Sequence, residues 1–268
     1  MLEGLLLAWV VGTPAAQATL KEAATALADF RAEDALVLLE KAKAQGPHDH
    51  ADYVLLYEDL GITYAYLENT DHALSAFRMM LSLDPSRAIS YTLSPKVTFV
   101  FEEARKRALE GQEPGVDLSW PRDLQIDLPV PVDVEVLADP EGFLKRARIY
   151  YRLKGTTAWQ EQALELPAAG ATPVRVELPP LAIGARDNQT LELFLIARDA
   201  ADNEVLLFGS SRRPREIALA YAPPDPWYGK WWIWAIAGTV VAVGAGTAVF
   251  AATREPGAEI DGDFRALR

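Results

Sequence analysis

Apolar positions recur at two different periods along this chain, and the change falls near Pro114. From Thr19 to about Leu109 they return every three or four residues, the spacing of one face of a helix. Thr19 followed by Glu22 makes a capping box, in which hydroxyl and carboxylate each satisfy a free backbone donor. Ala-rich helical pattern then runs to Phe30, and a second stretch from Ala32 to Gln45 ends at Gly46-Pro47. A third covers Asp52 to Leu67 and leads into a turn at Glu68-Asn69-Thr70-Asp71. Asn69 suits a left-handed C-terminal cap there, and Asp71 an N-cap. The fourth helix is expected from His72 to Leu83, stopped by Asp84-Pro85, and the fifth from Pro95 to about Leu109 with Ser94 as its cap. Val97, Val100, Phe101 and Ala104 give this last helix an apolar face that can cover the helices before it.

After Gly111 and Pro114 the period becomes two. Val132, Val134 and Val136 alternate with Asp133 and Glu135, and Ala147, Ile149, Tyr151 and Leu153 with Arg146, Arg148, Tyr150 and Arg152. The same holds for Val174, Val176 and Leu178 against Arg175 and Glu177, and for Leu191, Leu193, Leu195 and Ala197 against Glu192 and Arg198. Such alternation marks half-buried strands. Turn signals at Asp139-Pro140, Gly155, Pro167, Pro179-Pro180 and Asp202-Asn203 break the region into about seven or eight short segments. The pattern predicts a β-sandwich, similar in architecture to immunoglobulin-like and fibronectin-like modules.

The two ends are apolar in another way. Trp231 to Thr253 holds no charged residue and is bracketed by Lys230 and Arg254. About 22 helical residues reach roughly 33 Å, matching the ~30 Å hydrocarbon core of a bilayer. Trp227, Tyr228, Trp231, Trp232 and Trp234 suit the membrane interface. A transmembrane helix is expected there, with a buried core helix as the alternative. At the other end, the run Leu5 to Val11 followed by Pro14 and Ala16-Gln17-Ala18 reads as a secretory signal cut after Ala18. Glu3 stands where a basic residue is usual, which leaves open an upstream start or the first helix of the folded domain. Loop charges are similar on both sides of the span, so topology rests on the signal. With a signal, the chain is expected to cross the membrane once with residues 19–226 outside the cytosol. The resemblance described below would make it an inner-membrane protein of the bacterial cell envelope, with those residues periplasmic. Without a signal, it is tail-anchored with a cytosolic body. Gly238, Ala242 and Gly246 line one stripe of the span, where small residues could let two copies pack as a homodimer. The Ala- and Gly-rich composition of the span would also produce such a stripe by chance.

The expected layout is a signal at 1–18, a helical domain at 19–113, a β-sandwich at 114–222, a juxtamembrane linker at 223–230, the transmembrane helix at 231–253 and a tail at 254–268. A net charge of −12 argues against a nucleic-acid partner. The absence of cysteine excludes disulfides, thiolate metal sites and a cysteine nucleophile. His48, Asp49 and His50, with His72 elsewhere, lack helical i, i+4 ligand spacing and read as solvated turn residues. Arg146, Arg148, Arg152 and Lys154 share one strand face and could hold an anionic glycan or headgroup, or pair with acids such as Asp133 and Glu135. Trp159 could stack on a sugar or simply pack. No nucleophile triad, phosphate loop or paired-carboxylate motif stands out, and no enzyme activity, cofactor or metal is expected.

Tyr57, Leu60, Gly61, Tyr64, Ala73, Phe77 and Pro85 fall at the spacing of the tetratricopeptide repeat, and Ala35, Leu39, Ala42 and Pro47 resemble an earlier degenerate copy. The whole layout resembles tetratricopeptide-repeat envelope proteins of deltaproteobacteria, particularly myxobacteria. The resemblance implies an α+β multidomain chain of helical repeats, an immunoglobulin/fibronectin-like sandwich and one transmembrane helix. It also implies partner binding without chemistry, on a concave face formed by Leu55, Glu58, Ile62 and Tyr66; the alternative is that two copies are too few for a groove and only build a compact helical domain. The expected role is a periplasmic scaffold docking another envelope protein; the alternative is a module that binds peptidoglycan or polysaccharide through its β-domain.

Overall fold

In the computed structural model, which describes residues 12–90, 92–109 and 111–223, five helices precede eight strands. Helix α1 (Pro14–Ala28) starts where Thr13 accepts a hydrogen bond from the Ala16 N–H at 3.2 Å. Pro14 suits the first helical position because its missing N–H would find no partner there. The helix runs straight through Ala16-Gln17-Ala18. Ala16 is fully buried, and the Thr13 hydroxyl donates to the Gln45 carbonyl at 2.8 Å. Cleavage after Ala18 would remove this first turn. Thr19 caps nothing: it lies inside α1, its hydroxyl 2.9 Å from the Ala15 carbonyl and 2.8 Å from Gln45 Oε1. The apolar run Leu5 to Val11 lies outside the described residues.

Helices α2 (Ala32–Ala44), α3 (His50–Tyr66), α4 (Thr70–Leu83) and α5 (Pro95–Leu109) follow. Between α3 and α4 the left-handed residue is Glu68, at φ 60°, and Asn69 is instead the N-cap of α4, its side chain accepting from the His72 N–H. Asp71 therefore sits in the first turn, where a negative charge meets the positive helix end. Ser94 precedes α5, but its hydroxyl is buried without a hydrogen-bond partner. Helices α3 and α4 cross at Gly61, where an added Cβ would stand 2.5 Å from the Phe77 ring. Phe77 is fully buried and meets Phe101 of α5 edge-on, with centroids 5.5 Å apart.

Strands β1 (Gly115–Ser119), β2 (Val130–Ala138) and β5 (Val174–Leu178) form one antiparallel sheet in the order β1-β2-β5. The other sheet contains β3 (Arg146–Leu153), β4 (Gln160–Glu165), β6 (Gln189–Arg198), β7 (Glu204–Phe208) and β8 (Arg215–Leu219). Its order is β4-β3-β6-β7, with β8 pairing the first half of β6. Val132, Val134 and Val136 of the first sheet and Ile149, Leu193 and Leu195 of the second belong to one apolar cluster, which also contains Leu39, Leu56 and Phe77 of the helices. Helix α3 packs against β7. Residues up to Tyr221 make one unit; of a second, Ala222–Arg268, only Ala222 and Pro223 are described.

The fold class expected from sequence is corrected on two counts. The described residues are five helices followed by eight strands in two sheets with a continuous core, and no tetratricopeptide-like repeat array is shown. Nor is any helix among them long and apolar enough to cross a membrane. The longest, α3, has 17 residues and carries Asp52, Glu58 and Asp59. The span expected at 231–253, with Gly238, Ala242 and Gly246, lies outside the described residues. The structure thus supports neither a single-pass inner-membrane protein nor its tail-anchored alternative, and the membrane assignment is withdrawn.

Candidate functional site

Two cavities open along α4 and share one wall, an ion pair between Arg78 of α4 and Glu141 of the β2–β3 connection at 2.7 Å. The larger, about 260 Å³, is lined by Tyr57, Leu60 and Tyr64 of α3, His72 of α4 and Phe143 beyond β2. The Tyr64 hydroxyl donates to Glu40 Oε1 at 3.1 Å, and its ring lies 5.1 Å from that of His72. Burial, with Glu40 beside it, pushes the Tyr64 hydroxyl above the usual phenol range, so it stays a donor. Lys43 lies 5.8 Å from the Tyr57 ring centroid. The smaller cavity, about 190 Å³, lies between α4, the end of α5 and the segment leading to β1. Leu81, Pro85, Leu109 and Pro114 supply its apolar lining, and Arg105, Arg107 and Glu113, with the Arg78–Glu141 pair, its charge. Arg107 is held by Glu103 at 2.9 Å, whereas Arg105 has no acidic partner among the described residues.

The residues expected to shape the helices divide between two tasks. Gly61 and Phe77 form the close α3–α4 crossing and Ala73 is fully buried on α4, while Tyr57, Leu60 and Tyr64 line the larger cavity and Pro85 the smaller. The expected docking face is not an open groove. Ile62 is only 8 % exposed, Leu55 and Tyr66 are half-buried, and Glu58 is held by Arg87 at 2.6 Å.

The basic stripe on β3 is already neutralised within the sheet. Arg146 pairs with Asp202 at 3.2 Å, Arg148 with Glu161 at 3.4 Å, Arg152 with Glu192 at 2.7 Å and Lys154 with Glu216 at 2.7 Å. Asp133 is not among these partners because β2 belongs to the other sheet; it binds Arg175 of its own neighbour β5 through both oxygens at 2.8 Å. The Arg152 guanidinium covers Trp159 at 4.2 Å from the ring centroid, and the indole meets the Phe194 ring nearly at right angles with centroids 4.8 Å apart. A sugar would have to displace that guanidinium.

His48 is fully buried rather than solvated. Its N–H donates to Asn203 Oδ1 at 2.9 Å, and its carbonyl accepts from the Glu204 N–H at 3.0 Å. The imidazole stacks on Tyr53 at 6.0 Å, and neither ring nitrogen has a hydrogen-bond partner. Tyr53 in turn donates to Asp199 at 3.0 Å, so that α3 as well as the α2–α3 connection is joined to the β6–β7 hairpin. In sequence the only trace of this junction is the Asp202-Asn203 turn, because nothing local says which helix a hairpin will meet. Among the described residues, no group of three or more His, Cys, Asp or Glu could hold a metal ion. No protein-family model and no curated protein matches this chain, so these comparisons do not identify the tetratricopeptide envelope family that its sequence resembles.

Proposed function

We propose that this protein is an adaptor that binds an extended segment of a partner polypeptide in the groove along α4. The observation that carries this reading is the pair of cavities sharing the Arg78–Glu141 wall. At about 190 and 260 Å³, each is smaller than pockets that enclose a cofactor-sized molecule, which run from about 300 to 1,000 Å³. Side chains of an extended peptide fit that scale, with one anchor on each side of the ion pair. Tyrosines suit such a site because a rigid ring gives contact area while its hydroxyl gives direction. The groove also draws on both halves of the fold, since Arg78 comes from a helix and Glu141 from a strand connection.

The test is selection of peptides from a random display library on the full chain. Ser75→Trp fills the larger cavity and Ser82→Trp the smaller, and each should reduce affinity for the selected peptides by about tenfold or more. Leu55→Glu combined with Tyr66→Ser should leave affinity unchanged. Loss through the second pair, with none through the tryptophans, would return the binding site to the α3 face.

A further inference from the structure

We infer that the segment bound along α4 is acidic, with an aliphatic side chain in the smaller cavity and a carboxylate beside it facing Arg105. This rests on the groove being a peptide site, and it adds the chemistry of the occupant. The chain carries a net charge of −12, yet α5 ends in Arg105-Lys106-Arg107. Among the described residues up to Leu109, Arg31 pairs with Asp29 and Asp34, Arg78 with Glu141, Arg87 with Glu58 and Arg107 with Glu103. Arg105, the remaining arginine of this part, has no acid, and of the three arginines lining the smaller cavity it alone is half-buried.

Cations at a helix C-terminus are favoured by the helix dipole, and that accounts for Lys106 and Arg107 in the last turn. It does not account for an unpaired guanidinium set among Leu81, Pro85 and Leu109, the last 81 % exposed. A guanidinium in that setting gains most from a carboxylate that arrives together with the apolar group excluding water, because the charge-assisted bonds then form away from solvent. A lysine or arginine in the occupant would meet like charge. Glu113 is the opposing group in the same cavity, exposed and without a cationic partner among the described residues, and it should weaken an acidic occupant.

Three fluorescein-labelled peptides test this, each a Gly-Ser background around a central Leu flanked by Asp, by Asn or by Lys. On the full chain at low salt, the Asp peptide should bind about tenfold or more tightly than the Asn peptide, and the Lys peptide most weakly. Added salt should shrink that advantage. Arg105→Gln should remove most of it with the fold intact by circular dichroism, and Glu113→Gln should increase it. Equal binding of the Asp and Asn peptides, both blocked by Ser82→Trp, overturns the acidic occupant and leaves the groove reading standing. An Asp preference that survives Arg105→Gln or Ser82→Trp also overturns it, because the acid is then recognised elsewhere. Binding by none of the three overturns the inference as well, and the library selection then decides separately whether the groove binds peptide at all.

Discussion

Asp59 lies on α3 with 8 % of its surface exposed, and its Oδ2 has no hydrogen-bond partner. Burial, reinforced by the neighbouring charge of Glu58 and opposed by Arg87, raises this carboxyl from an ordinary 3.8 to about 7. Its folded value lies above its unfolded value, so the folded state holds the proton more tightly. Its stabilising effect is complete below about pH 4 and is lost as pH rises through about 7. Asp59→Asn should therefore stabilise the protein more at pH 8 than at pH 5, by roughly 1–3 kcal/mol. Urea unfolding at both values measures this, and an equal change at the two would show that ionisation of Asp59 is not the cause. Such a residue illustrates what sequence shows at this scale. Residue types and strand faces are readable, so Arg146, Arg148, Arg152 and Lys154 are visible as a stripe. Their partners are not, because Glu192 and Glu216 reach β3 only through sheet order. The burial of His48 is hidden for the same reason.

Among elements, the α3–α4 crossing is the most closely determined contact. The Phe77 ring occupies the space that a side chain at residue 61 would need, with Cε1, Cδ1 and Cγ at 2.5, 2.6 and 2.9 Å from the added Cβ. Phe77 is fully buried and packs against Phe101, so it has little room to turn. Gly61→Val should therefore cost roughly 1–3 kcal/mol of stability by overpacking. Phe77→Leu in the same chain should recover part of it, and thermal unfolding of the single and double variants reads the coupling. Additive losses would place the strain elsewhere. A glycine at helical spacing made this crossing legible, and the run Pro95–Leu109 was legible through its apolar face, although the Ser94 hydroxyl expected to cap it makes no hydrogen bond. Helix starts were less so. Thr19 with Glu22 satisfies the capping-box pattern, yet Thr13 and Pro14 begin the helix six residues earlier, because both combinations favour a helix and only packing against Gln45 chooses between them.

At the scale of the molecule, sequence separates two halves by period but does not reveal that they share a core. The alternation at Val132–Val136 and Leu191–Ala197 specifies faces, while the contact between α3 and β7 depends on a junction built from residues about 150 apart. The buried His48 N–H donates to Asn203 Oδ1, and Asn203 is fixed by its own amide donating to Asp199 at 2.9 Å. Asn203→Ala would strand the His48 N–H and should cost about 1–3 kcal/mol. If the shared core makes one cooperative unit, that loss must appear equally in amides far from the substitution on either side. Hydrogen exchange followed by mass spectrometry on the whole chain measures it, with α3 and β6 as reporters. Equal falls in protection of both elements are expected. A fall confined to β6, with α3 unchanged, would mean that helices and sheets open independently, and Arg78 and Glu141 could then separate without either half unfolding. The groove along α4 draws on both halves, so in that case a bound peptide would slow their separation, whereas in a single cooperative unit it would slow only global opening.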